Sequence, residues 1–100
     1  MAVNEDREII IQPVDGPAFK KKFRELRAQH PSIAESMSTF NVVKRKIPPE
    51  SLPHGMKDHK LLGRLAGIRE CHLAPNVLLL YKSVDNLVLL LDICTHDELK

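Results

Sequence analysis

The residues of this 100-residue chain best equipped for chemistry are its five histidines and a run of cations in its second half. The stretch from Lys57 to His72 carries Lys57, Lys60, Arg64 and Arg69 together with His59 and His72, two imidazoles 13 positions apart. A further histidine, His96, lies near the end. An imidazole with an ordinary pKa of about 6.5 can both accept and donate a proton near neutral pH. A pair of imidazoles therefore suits RNA cleavage: one takes the proton of a 2′-hydroxyl, and the other protonates the departing 5′-oxygen. Lysine and arginine beside them would hold the phosphate and offset the charge that develops in the transition state. The expected site is His59, His72 and His96 as acid–base groups, with Lys57, Lys60, Arg64 and Arg69 around the phosphate. His30 reads as polar surface. His54, beside Gly55, is at most a neighbour of the site.

A metal is the rival chemistry. Cys71-His72 and Cys94-Thr95-His96 offer thiolates and imidazoles, but not the gaps of two to four residues that structural zinc sites use. Adjacent residues on a strand point to opposite faces, so Cys71 and His72 can hardly share an ion. No metal and no other cofactor is expected, and Cys71 reads as a small buried hydrophobe. Neither a phosphate-cradling nor a dinucleotide-binding glycine motif is present.

Charge is unevenly placed although the net value is only +2. From Met1 to Asp15 one cation, Arg7, faces Glu5, Asp6, Glu8 and Asp15. From Lys44 to His72 seven cations face three acids. That asymmetry points to an anionic partner for the middle of the chain. Two cysteines make no disulfide framework, the acidic start is no signal peptide, and the apolar run Leu87–Leu91 is too short to span a bilayer. The expected setting is the cytoplasm, with no membrane partner.

These residues must be carried by one domain, since 100 residues support a single core. With one Tyr, three Phe and no Trp, that core is mainly aliphatic. Glu8–Val14 is β-branched and reads as a strand. Asp15 caps a helix with Pro17 in its first turn, and Phe19, Phe23 and Leu26 form its apolar face. The cations between them read as a solvated face. His30-Pro31 breaks the helix, and Ser32 with Glu35 predicts a capping box for a second helix with Ile33, Met37 and Phe40 inward. Pro48-Pro49 ends it. Residues 50–67 read as a long functional loop. Ile68–Leu73, Val77–Lys82 and Leu87–Ile93 predict an antiparallel meander, with the last, most apolar strand expected at the centre of the sheet. The expected class is α+β, a helical hairpin packed on a small, mainly antiparallel sheet.

The order of Leu52-Pro53, Lys57-Asp58-His59, Leu62-Gly63, Gly67-Ile68-Arg69-Glu70-Cys71-His72, Pro75, the Leu78–Tyr81 strand, Thr95-His96 and Glu98-Leu99 resembles the bacterial RelE superfamily, in its YafQ branch. The resemblance implies a RelE/ParE-like fold and the toxin of a type II toxin–antitoxin system. It further implies a ribosome-dependent endoribonuclease that cuts mRNA and is neutralised by a cognate antitoxin, with no small-molecule cofactor. It places His59, His72 and His96 on family histidines implicated in activity, and Arg69 on a basic family position. Asn76 stands where the family carries a catalytic aspartate, and so joins the RNA-binding set. Val77 replaces a tryptophan, Cys94 a glycine, Asp92 a basic residue and Lys100 a terminal phenylalanine. Those departures define an alternative: a weakened relative that grips antitoxin or ribosome. The two-helix face and the sheet edge are the expected docking surfaces for an antitoxin.

Overall fold

The computed structural model describes residues 8–63 and 67–99. A first strand, β1 (Ile10–Pro13), leads into helix α1 (Gly16–Gln29) and helix α2 (Ile33–Lys44). A 3-10 turn at His54–Met56 and a two-residue strand β2 (His59–Lys60) follow. Strands β3 (Arg69–Ala74), β4 (Val77–Val84) and β5 (Leu87–Thr95) form the expected meander, and a short helix α3 (His96–Leu99) closes the described chain. The strand order is β1-β5-β4-β3-β2, with β1 parallel to β5 and every other pairing antiparallel.

Local chemistry sets the helix ends. The Asp15 carboxylate accepts from the Ala18 amide at 3.1 Å, and Pro17 sits where a missing N–H costs nothing. Ser32 behaves differently from the capping box expected of it. Its backbone is already helical and its side chain caps nothing. The Ile33 and Ala34 amides donate instead to the carbonyls of His30 and Pro31, so tight backbone turns satisfy the donors that a hydroxyl would have taken.

Helix α1 lies over β1 and β5, and α2 over β3. Between the layers Ile33, Phe40, Val77, Leu79, Tyr81 and Ile93 are fully buried. Alternation along β4 sends Leu78 and Leu80 to the other face, where they meet Cys94 in a smaller cluster flanked by Leu61, Ile68 and Leu91. Two expectations are corrected. The loop over residues 50–67 contains β2, too short to leave an alternating pattern, and β2 makes the sheet five-stranded. With that strand added beyond β3, β4 becomes the middle of the sheet. β5 lies beside it, and its apolar run is explained by pairing on both sides at Leu87–Leu90.

A single-residue irregularity interrupts the β4–β5 ladder. Leu80 pairs with Asp92 and Tyr81 with Leu90, which leaves Leu91 unpaired. Val88, Leu90 and Ile93 consequently all face the helical layer, despite the odd spacing between the last two. Asp92 is kept out of the core and forms an ion pair with Lys22 at 3.0 Å. Among the described residues no helix is long and apolar enough to cross a membrane.

Candidate active site

Two segments deliver imidazoles to one place. His72 lies on β3 beside a register shift between His72 and Ala74. His96 opens α3, directly after β5. The β3–β4 turn ties them together: the His96 amide donates to both the carbonyl and the side-chain oxygen of Asn76, each at 3.3 Å. The two rings stand edge to face, with centroids 5.3 Å apart. They line an open cavity of about 510 Å³ shared with Lys57, Pro75 and the start of α2 at Ser32 and Ser36.

The environment separates His72 from an ordinary surface histidine. Burial, and then the positive neighbours His96 and Lys57, push the His72 pKa below its usual 6.5, against Glu70 and a hydrogen bond to the Pro75 carbonyl. His72 is therefore neutral at pH 7, with a lone pair to accept a proton. Two-dimensional NMR titration is expected to place its midpoint below 6.5, and below that of a Lys57→Ala variant.

Lys57 adopts a left-handed backbone, φ 48° and ψ 45°. Such a conformation costs a residue with a Cβ roughly 1–2 kcal/mol and is free for glycine. Lys57→Gly is expected to keep or slightly raise thermal stability while reducing activity at the cavity, measured by calorimetry and by RNA cleavage.

His59 goes elsewhere. Its Nδ1–H donates to the Lys57 carbonyl at 2.7 Å, and its Nε2 faces the buried Glu70 carboxylate at 3.5 Å. This follows from β2 pairing His59 with Glu70 across the strands. The structure thus brings His72, His96, Lys57 and Asn76 together and sets His59 beside Glu70. Lys60 is exposed on β2, opposite Arg69. Arg64 and Lys100 lie outside the described residues. Val77 is fully buried against the helical layer and serves packing.

Arg69 is already engaged. Its Nε and Nη2 reach the two oxygens of Asp58, both at 3.1 Å, and the Tyr81 hydroxyl donates to the same carboxylate at 2.5 Å. Lys44 approaches Asp58 at 4.0 Å and lies over the Tyr81 ring at 4.9 Å. Asp58, Tyr81, Lys44 and Glu70 are site-associated residues that the sequence reading passed over. Asp58 was legible as the acid inside a basic triplet, whereas Tyr81 looked like one more strand aromatic.

The cysteines sit apart. Cys71 belongs to the main core and Cys94 to the cluster on the opposite face. Burial pushes the Cys71 thiol up to about 12, so it remains protonated at pH 7. Among the described residues no three His, Cys, Asp or Glu side chains converge as a metal site.

Two helices on one face of a mixed sheet, with an imidazole pair where the meander ends, define a toxin domain of RelE-like architecture. The model of the YafQ family, bacterial toxins of type II toxin–antitoxin systems, matches residues 12–100, and the chain belongs to that family. Solved structures agree. A metal-bound toxin from Helicobacter pylori is 26% identical, with a TM-score of 0.70, over 92% of this chain and 99% of that one. The Escherichia coli DinJ–YafQ toxin–antitoxin complex matches at 25% identity and a TM-score of 0.69, over 89% and 93%. Escherichia coli YafQ itself, at 24% identity, has the same fold with a TM-score of 0.68 over 89% and 94%. No curated protein sequence matches the chain significantly.

Proposed function

We propose that this toxin is an endoribonuclease that cuts mRNA on the ribosome by imidazole acid–base chemistry. The observation that carries the reading is the His72–His96 pair, 5.3 Å between centroids, open to solvent beside Lys57. His72, held neutral, takes the 2′-hydroxyl proton as that oxygen attacks the adjacent phosphorus. His96 in its protonated form donates to the departing 5′-oxygen. The products are a 2′,3′-cyclic phosphate and a free 5′-hydroxyl, and the two imidazoles supply both proton transfers. Lys57, with Lys60 and Arg64 further along the segment, offsets the phosphate charge. The Arg69 charge is compensated by Asp58, so phosphate-holding falls first to Lys57. His59, turned to Glu70, takes neither proton transfer. Expression in growing bacteria should arrest growth and create new mRNA 5′ ends within translated codons. Folded protein without new ends would refute the reading.

The partner surface follows from the helices. Ile11, Phe19, Phe23, Met37 and Leu90 floor a groove of about 380 Å³, rimmed by Lys20, Arg24, Arg27 and Arg45. An apolar floor with a cationic rim suits an acidic amphipathic segment of the cognate antitoxin. The DinJ–YafQ toxin–antitoxin complex gives a precedent for an antitoxin partner. Reversing charge at Arg24→Glu and Arg27→Glu is expected to weaken antitoxin binding about tenfold or more, measured by calorimetric titration, and to leave RNA cleavage unchanged.

Two observations favour a second reading, a binding module with weak cleavage. Asn76 spends its side-chain oxygen on the His96 amide, and Val77 is buried. In that case Asn76→Asp, with Lys100→Phe, would create toxicity absent from the parent. A parent that is toxic without these changes excludes it.

A further inference from the structure

The loop that carries Lys57 is gripped from behind. Leu52 and Met56 plug it into the main core. The Lys57 amide closes the 3-10 turn on the His54 carbonyl at 3.0 Å. The next residue, Asp58, accepts three hydrogen bonds from Arg69 and Tyr81, which stand directly opposite each other on β3 and β4. Tyr81 is fully buried and packs edge to face on Phe40, with centroids 4.9 Å apart. The fork therefore rests on a fully buried part of the sheet. On the far flank, His59 holds the Lys57 carbonyl. Lys57 itself lines the histidine cavity on one side and a shallow pocket over Asp58 and Arg69 on the other.

We propose that Asp58, Arg69 and Tyr81 form a positioning clamp that holds Lys57 against the His72–His96 pair, fixing the site's phosphate-holding cation from outside the cavity. None of the three lines the cavity that would take RNA, so they are positioning residues. The clamp also resolves a charge problem. Lys44, Lys57 and Arg69 converge on this loop, and Asp58 is the anion that lets them stay. The assignment rests on reading the cavity as the RNA-cleaving site, but its geometry can be tested without RNA.

The test follows His72 by NMR titration in Asp58→Asn and Tyr81→Phe, alongside cleavage of ribosome-bound mRNA. The groups acting on His72 are Lys57, His96, Glu70 and the Pro75 carbonyl. Release of Lys57 raises the His72 midpoint towards that of Lys57→Ala. Loss of the Asp58 charge alone would lower it, because removing an anion disfavours the imidazolium. The direction of the change therefore separates displacement of Lys57 from simple electrostatics. The expected result is an upward shift in both variants, with kcat reduced about tenfold to a hundredfold, the scale at which small misplacements act. Tyr81→Phe keeps the ring and removes only the hydroxyl, so it carries the test if Asp58→Asn does not fold. A His72 midpoint unchanged or lowered in the folded Tyr81→Phe variant overturns the clamp. An upward shift in a protein whose parent cuts no mRNA sustains the clamp and refutes the RNA-cleaving reading.

Discussion

His96→Ala is expected to reduce mRNA cleavage by about 10²–10⁴-fold, the range for loss of a positioned proton donor. The fold should survive, because the His96 ring is exposed and its structural bond to Asn76 is made by the backbone amide. His72→Ala should lose a similar factor through the opposite proton transfer. The double variant should lose little more than either alone, because the two rings act as a unit. pH separates the roles. The depressed His72 pKa means that its base form persists below 6.5 and is lost as pH falls through the folded value. In a cleavage profile of the parent the acid limb should lie below 6.5, and His72→Ala should abolish that limb. Quenched-flow cleavage of programmed ribosomes measures both quantities. Full activity in folded His96→Ala would remove the imidazole pair from the mechanism.

Phe40→Ala should be among the most damaging core substitutions, costing about 3–5 kcal/mol. Phe40 is fully buried on α2 and meets Tyr81 edge to face at 4.9 Å. Part of the loss is cavity formation, and about 0.5–1.5 kcal/mol belongs to the aromatic pair. Against a domain stability of about 5–15 kcal/mol, such a change can leave the chain substantially unfolded at growth temperature. Phe40→Leu should cost much less. Urea denaturation of both variants checks the order, and near-equal midpoints would show that the helical layer collapses into the space.

The elements built on strong periodicity were legible from residues alone. Phe19, Phe23 and Leu26 announced α1, and the apolar runs separated by Pro75-Asn76 and Ser83–Asn86 announced the meander. What stayed hidden has local physical reasons. β2 is two residues long, so no alternation could reveal it. Ser32 carries a cap signature, but the carbonyls of His30 and Pro31 took the donors first. The expected site groups His59, His72 and His96; His72 and His96 stand together, whereas the diversion of His59 to Glu70 depends on the register of a strand invisible in the sequence. Arg69 looked like a phosphate ligand because composition counts cations and not the partners already holding them. Its bidentate bond to Asp58 spans 11 positions of sequence and becomes apparent only when β3 lies beside the loop.

The unpaired Leu91 gives β5 two reading frames. Up to Leu90 the even-numbered side chains belong to the helical layer, and at Ile93 the odd-numbered one does. The frame that builds the core with β1 is thus offset by one residue from the frame that delivers Thr95 and His96. Deleting Leu91 would iron out the ladder without turning Asp92 or Ile93, whereas a regular ladder that kept Leu91 would turn Asp92 to the helical layer and Ile93 away from it. The bulge, and not the leucine that fills it, therefore sets which face each side chain after Leu90 takes.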